Sequence, residues 1–142
     1  MAGYSERPLV RKLGIKPDHR LVVIDAPPRW SLAALPPGVE VTEVTSGSAV
    51  DGAEVVVVFV RAAAHLPAVL ALGPAVFPDG MIWVAWPRKA GAHVSDVTEQ
   101  AIRDTVLPVG LVDVKVAALD DDWSGLKVVW RKERRSGPPP ST

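Results

Sequence analysis

Charged and aromatic side chains that could hold a ligand follow several apolar segments of the chain. These candidate residues are Asp25, Arg29, Trp30, Arg61, Trp86, Arg88, Lys89, Asp122 and Trp123. Arginine and lysine can hold a phosphate or a carboxylate, and the face of a tryptophan can stack on an aromatic base or on a partner side chain. The set therefore predicts a surface that binds an anionic small molecule or a protein partner.

Arg88 and Lys89 are the favoured pair, because two adjacent cations follow a long apolar segment where a ligand crevice is expected. The other candidates also fit structural roles. Trp86 lies in a segment typical of a buried strand, in which tryptophan often fills the core. Trp30 in a proline-flanked loop can cover the edge of a sheet, and Asp122 is an ordinary hairpin-turn residue.

Other chemistries find less support in the residue inventory. The chain has no Cys, which excludes disulfides, thiolate zinc sites and cysteine nucleophiles, and its three His are far apart in sequence. Asp120-Asp121-Asp122 could attract a divalent cation, but consecutive side chains point in different directions. No G-x-S-x-G motif is present. We therefore predict neither a metal site nor a catalytic residue.

The charges of the 142-residue chain cancel, with 16 basic and 16 acidic residues. Without a global positive field, nucleic acid is not an expected partner, although residues 131–135 are locally basic. No apolar run reaches the roughly 18 residues of a membrane helix, and the first 20 residues lack an apolar signal segment. We expect a cytoplasmic protein with one domain over residues 1–135 and a disordered Pro/Ser tail over 136–142.

The apolar pattern predicts an α/β domain of six strands. The expected strands cover residues 21–24, 39–44, 54–60, 81–86, 111–119 and 126–131. The first, third and fourth are continuous apolar runs, which are typical of parallel strands buried on both faces. The last two alternate apolar and polar residues, which predicts an antiparallel pair at one edge with a wet face and a hairpin loop at 120–125.

Helices are expected between most of these strands. They cover residues 7–13, 32–35, 61–72 and a segment that ends near 106. Asp96 and Glu99 predict a capping box at the start of the last of these helices. Residues 45–53 are too few for a helical crossover, so we expect a bare loop there.

A mostly parallel sheet that ends in an antiparallel hairpin resembles the class I methyltransferase-like Rossmann fold. The resemblance implies the strand order 2-1-3-4-6-5. In more detail, the chain is similar to the bacterial family known as domain of unknown function 3052. The matching segments are YSERPL (4–9), KLGIK (12–16), DGMIWVAWPRK (79–89), DVTE (96–99), LPVGLVDVKV (107–116) and DDDWSGLK (120–127). The family resemblance implies no particular activity.

In sheets of this kind, ligands bind outside the carboxyl ends of the parallel strands. The implied strand order brings the candidate residues together there. The turn after the first strand, Asp25-Ala26-Pro27-Pro28-Arg29-Trp30, has no glycine, and its two prolines remove two backbone donors. A glycine-rich cradle for S-adenosylmethionine or a dinucleotide is therefore absent. Glu43 could accept hydrogen bonds from a ribose, but it is weak evidence alone.

Two functions stay open at this stage. The first is a non-catalytic binding or interaction domain that has no cofactor and uses the carboxyl ends of the strands. The alternative is a divergent transferase that binds S-adenosylmethionine or a nucleotide in an unusual way, with Asp25 or Asp122 as a base. The edge of the terminal hairpin also offers a surface for a homodimer.

Overall fold

The secondary structure follows the apolar pattern of the sequence. The computed structural model describes residues 8–46, 48–88 and 95–140. Within these residues the strands are β1 (Arg20–Ile24), β2 (Glu40–Val44), β3 (Val55–Phe59), β4 (Met81–Pro87), β5 (Leu111–Ala118) and β6 (Trp123–Trp130). The helices are α1 (Leu9–Leu13), a long 3₁₀ helix (Ala63–Leu72), α2 (Gly73–Val76), α3 (Glu99–Val106), a short 3₁₀ helix (Leu107–Val109) and α4 (Lys132–Arg135). Every predicted strand is present.

The strands form one mixed sheet in the order β2-β1-β3-β4-β6-β5, which confirms the predicted order. The first four in this order are parallel. β6 runs antiparallel to β4, and β5 runs antiparallel to β6. Pro87 at the end of β4 therefore pairs with Trp123 at the start of β6. This pairing places the β5–β6 loop at the same edge as the carboxyl ends of the parallel strands.

One face of the sheet is covered by the long 3₁₀ helix, α2 and α3. Their buried residues, including Leu66, Val69 and Ile102, pack on Val58 and Val84 of the sheet. A helix was predicted for residues 61–72, but the segment is 3₁₀ and the helical path continues through Gly73 into α2. Pro67 explains the change of helix type, because its ring would clash with the carbonyl four residues earlier in an α-helix.

The opposite face is covered by α1 and by the connection between β1 and β2. Leu13 of α1 packs there against Val57 and Trp83 of the sheet. The Nε1 of the fully buried Trp83 donates a hydrogen bond to the Leu13 carbonyl at 3.0 Å. α1 ends at Leu13, where the predicted helix 7–13 ends, and the following Gly14 has a left-handed φ of 79°, which costs glycine little.

Two predicted helical features are wrong. Residues 32–35 form no helix, since Ala34 has a φ of 59°, which the α-helical conformation does not allow. α3 is capped by Thr98, whose side chain accepts a hydrogen bond from the first turn. Asp96 is therefore not the capping residue, and it instead accepts a hydrogen bond from the Ala63 amide at 2.7 Å.

The hairpin loop between β5 and β6 is shorter than predicted. It spans residues 119–122 rather than 120–125, so Trp123 already belongs to β6. The carboxylate of Asp120 accepts hydrogen bonds from the amides of Asp122 and Trp123, each at 2.8 Å. This compact turn lets strand pairing begin at once.

The two edge strands differ in what they expose. The side chains of β2 are exposed except for half-buried Val44, and its neighbouring connections contain no helix among the described residues. The bare loop predicted after β2 is thereby confirmed for the part that is described. At the other edge, β5 exposes Val114 and Val116 by 53% and 48%.

Beyond the sheet, the basic segment after β6 forms α4, and residues 136–140 contain no helix or strand. Residues 141–142 lie outside the described part of the chain, and the disorder of the tail stays a prediction. No helix within the described ranges has the length and apolar character needed to cross a membrane.

Candidate functional site

The candidate site lies where the parallel strands end. We call this region the carboxyl edge; it comprises the residues that follow β1, β3 and β4 together with the β5–β6 loop. The register of β4 and β6 brings the loop beside the end of β4. Except for Lys89, which lies outside the described residues, and Trp86, the predicted residues meet at this edge.

A row of three aromatic rings supports the carboxyl edge. The rings of Trp30 and Phe59 meet edge to face with centroids 4.9 Å apart, and those of Phe59 and Trp123 do the same at 5.0 Å. Phe59 and Trp123 are buried, and Trp30 is half-buried. Such pairs add stability beyond the area that they bury. The row therefore fixes the loop after β1 and the start of β6 to the end of β3.

Phe59 is the member of this row that sequence reasoning missed. It closes the valine run of β3, and its side chain lies on the same face as Val55 and Val57. The alternation of a strand predicts that shared face. An aromatic residue at the last position of a strand that ends at the expected ligand edge was the signal that could have identified Phe59.

Arg61 lies over the Trp123 end of this row. Its guanidinium carbon is 5.1 Å from the centroid of the Trp123 ring, which is a cation–π distance. The Ser95 hydroxyl donates to the Arg61 carbonyl at 2.8 Å, and Asp96 binds the nearby Ala63 amide. The segment before α3 thus fixes the backbone of Arg61, while its side chain stays exposed.

Arg88 serves to join β4 to the hairpin loop. Its amide donates to the Asp122 carbonyl at 2.8 Å, and its Nη1 donates to the Asp120 carbonyl at 3.0 Å. The guanidinium is therefore already bound to the protein on one side. This contact gives Arg88 a structural role in addition to its predicted role in binding.

Asp25 joins the ends of β1 and β2. Its amide donates to the Val44 carbonyl at 3.0 Å, and its Oδ1 accepts a hydrogen bond from the Ser46 amide at 2.9 Å. Arg29, four residues later, is exposed and has a φ of 69°. The turn after β1 is thus tied to the neighbouring strand and presents Arg29 to solvent.

Two clefts open at the carboxyl edge. The first, which we call the proline cleft, has a volume of about 420 Å³ and is lined by Leu9, Pro27, Pro28, Arg29, Trp30, Ser31, Leu119, Asp120, Asp122 and Trp123. The second, the histidine cleft, has a volume of about 380 Å³ and is lined by Asp25, Ser46, Val58, Phe59, Val60, Arg61, Ala64, His65, Ala68 and Val69. Arg61 lines the second cleft and touches Trp123 of the first, so its charge lies between them.

Trp86 lies apart from both clefts. It is 9% exposed and packs in the core beneath the helices, on the opposite face of the sheet from Phe59. The alternation of β4 explains this position, because Ala85 pairs with Phe59 and the next residue points to the other face. The side chain of Trp86 therefore fills the core.

The start of the β1–β2 connection has neither a glycine-rich turn nor a helix, which are the features that hold a nucleotide or S-adenosylmethionine in many α/β sheets. Residues 25–39 contain no helix, so no helix N-terminus points at the carboxyl edge from β1. Among the described residues, no cluster of three or more His, Asp or Glu could hold a metal ion.

No model of a known protein family matches the chain, and no curated protein matches its sequence.

Proposed function

We propose that this chain is a non-catalytic binding domain that holds an anionic small molecule at the carboxyl edge. The observation that carries the proposal is the helix-free connection between β1 and β2 with Pro27-Pro28 in its first turn. The first turn of this connection, residues 25–30, has no glycine, and no helix begins in the connection, so a ligand there meets neither a glycine-rich cradle nor a helix N-terminus. Recognition of an anion is left to side chains.

Arg29 and Arg61 are the side chains suited to that role. Both are exposed, and each lines one of the two clefts. The aromatic row beneath Arg61 holds its guanidinium near a rigid surface, which lowers the entropy lost when a ligand binds. Clefts of about 380 and 420 Å³ lie within the size range of small-molecule sites.

We also propose that the sheet is a reduced methyltransferase-like Rossmann fold and that the chain is a cytoplasmic member of the domain of unknown function 3052 family. The strand order supports this fold, because β6 lies antiparallel between β4 and β5 near one edge of the sheet. The segments quoted above support the family. Two copies of the chain pair through β5 in this proposal, since Val114 and Val116 leave that edge apolar.

The proposed function is tested by thermal shift and titration calorimetry with two sets of compounds. The first set is anionic and contains nucleotides and acyl-CoA compounds, and the second contains S-adenosylmethionine and S-adenosylhomocysteine, which test the transferase alternative. A ligand at about a hundred times its dissociation constant adds roughly 2.7 kcal/mol to the stability. For a domain of this size the melting temperature rises by about 5–10 °C. The double variant Arg29→Ala/Arg61→Ala should lose most of this rise.

Arg131→Ala is the matched control, because Arg131 is an exposed arginine beyond the end of β6. Unchanged affinity in the double variant would refute the site. If the chain binds S-adenosylmethionine and transfers its methyl group to an acceptor, it is a divergent transferase and the non-catalytic proposal is wrong. If the chain binds only a protein partner and the double variant loses this binding, the site is correct but its ligand is not a small molecule.

A further inference from the structure

Three lysines meet on the sheet face that α1 covers in part. Lys115 on β5 pairs with Lys127 on β6, and Lys127 pairs with Trp83 on β4. Cross-strand partners share a face, so both lysines lie on the side of Trp83. Lys115 Nζ is 6.0 Å from the centroid of the Trp83 ring. Lys16 follows α1, whose end is hydrogen-bonded to Trp83, and its charge lowers the pKa of Lys127. We call these three residues the lysine patch.

Trp83 determines how the lysine patch is built. Its hydrogen bond to the Leu13 carbonyl holds the end of α1, and with it the loop to Lys16, against the sheet. Gly125 on β6 leaves room for the ring, since a Cβ there would lie 3.0 Å from Trp83 Cε3. The buried indole therefore forms a floor between α1 and the two strands that carry the other lysines.

A β-bulge separates negative from positive charge along β5. The register shifts between Asp113 and Lys115. Asp113 pairs with Val128 and lies on the face that α2 and α3 cover. There Arg103 Nε donates a hydrogen bond to its Oδ2 at 2.8 Å. After the bulge, Lys115 emerges on the opposite face. The acidic residue nearest to Lys115 on its strand is thus already paired on the other side of the sheet.

No lysine of the patch forms an ion pair within the described part of the chain. All ion pairs found there use arginine. Burial lowers the pKa of Lys127, and the charges of Lys115 and Lys16 lower it further. Like charges opposite each other on a sheet destabilise it. An anion bound at the lysine patch would remove this repulsion.

A cavity adjoins the lysine patch beside the end of α1. It has a volume of about 440 Å³ and is lined by Arg11, Gly14, Ile15 and Lys16. Lys16 belongs to both the cavity and the lysine patch, and Arg11 adds a fourth cation. The cavity shares no lining residue with the proline cleft or the histidine cleft.

We propose that the lysine patch and Arg11 bind a small molecule that carries two or more linked phosphate groups. A lysine ammonium is a compact charge with three donors, and an arginine guanidinium holds phosphate oxygens in a fork. Adjacent strands lie about 4.8 Å apart, so the cations extend over more than one phosphate. The site is distinct from the carboxyl edge and does not depend on the proposed function.

Tripolyphosphate is the probe for this site, and the full chain is titrated with it at low salt by calorimetry and thermal shift. The wild-type protein should bind it and melt at a higher temperature. Lys115→Gln/Lys127→Gln should bind it at least about tenfold more weakly, as expected when charge-assisted contacts are lost. Without ligand, this double variant should melt higher than the wild type, because the cross-strand repulsion is gone.

Lys132→Gln is the matched control, since Lys132 is an exposed lysine on α4. If the double variant does not fold, Lys16→Gln and Arg11→Gln test the same site, because both residues are exposed. The proposal is overturned if these variants and Lys132→Gln bind tripolyphosphate equally well. It is also overturned if a short single-stranded RNA binds the lysine patch while tripolyphosphate does not. In a protein that already carries Arg29→Ala/Arg61→Ala, the further change Lys115→Gln/Lys127→Gln should still weaken tripolyphosphate binding at least about tenfold, which separates this site from the carboxyl edge.

Discussion

Replacement of Glu54 by Gln should destabilise the protein in a pH-dependent manner. Glu54 precedes β3, and its carboxylate accepts hydrogen bonds from the Arg20 amide at 2.6 Å and from Arg20 Nη2 at 3.0 Å. The hydrogen bonds from Arg20 lower the pKa of Glu54 from 4.5 to about 2. The pair links the start of β1 to the start of β3.

The magnitude follows from that lowered pKa and from the exposure of the carboxylate. A shift of this size corresponds to at most about 3 kcal/mol. The Glu54 side chain is 38% exposed, however, so solvent screening reduces the contribution to about 1 kcal/mol. At pH 7 the variant Glu54→Gln should therefore lose about 1 kcal/mol of unfolding free energy, or about 3–4 °C in melting temperature.

The sign of the pH dependence is set by the two pKa values. A carboxylate with a lowered pKa in the folded state stabilises the protein above its ordinary pKa of 4.5 and loses this effect as the pH falls toward about 2. Urea unfolding of both proteins between pH 3 and pH 7 measures the difference. At pH 3 the gap between them should be less than about half its value at pH 7.

Glu43→Gln is the control for this experiment, because Glu43 is an exposed carboxylate on β2 and is absent from the ion pairs of the described residues. It should change the stability by no more than about 0.5 kcal/mol. An equal loss in Glu54→Gln at pH 3 and at pH 7 would refute the electrostatic explanation. So would an equal loss in the control.

Further substitutions test the packing around Gly125, the ion pair between Arg103 and Asp113, and the edge strand β5. Gly125→Ala should cost about 1–3 kcal/mol in urea unfolding, because the new Cβ would lie 3.0 Å from a buried indole; unchanged stability would show that the ring can move. Asp113→Asn should cost about 1 kcal/mol at pH 7, since Arg103 lowers the pKa of Asp113 through a 2.8 Å hydrogen bond; this loss should shrink toward acid pH, and a constant loss would contradict it. Val114→Lys should shift a dimer to monomer in sedimentation velocity, and wild-type protein that sediments as a monomer would exclude pairing through β5.

The strands were predictable because their apolar patterns coincide with their burial. The runs that became β3 and β4 are buried on both faces, as expected for central parallel strands. Errors arose where side-chain hydrogen bonds decide the local structure. The sequence around Trp123 is rich in turn residues, yet Asp120 closes the turn early and Trp123 enters the strand. At α3 both Asp96 and Thr98 are capping residue types, and only the fold shows that Asp96 is used elsewhere.

The position of the candidate site was predictable from topology, whereas the roles of single residues were not. The order of the strands brings Arg29, Arg61 and Arg88 to one edge, and the sequence predicts that edge. It does not show that Arg88 is bound to the hairpin loop or that Phe59 connects Trp30 and Trp123. Those contacts depend on distances between strands, and the hydrophobic periodicity of a single segment contains no information about such distances.

The exposure of β2 has a consequence for how the molecule opens. This strand buries little and is flanked by connections without helices, so its backbone amides should exchange with solvent sooner than those of β3 and β4. When β2 detaches, the backbone of β1 becomes a free edge along the apolar run Leu21–Ile24. An apolar free edge is a template for pairing with another chain. Aggregation under mild heating would then begin at β1. Residues that stabilise the pairing of β2 with β1 would protect the protein against this aggregation.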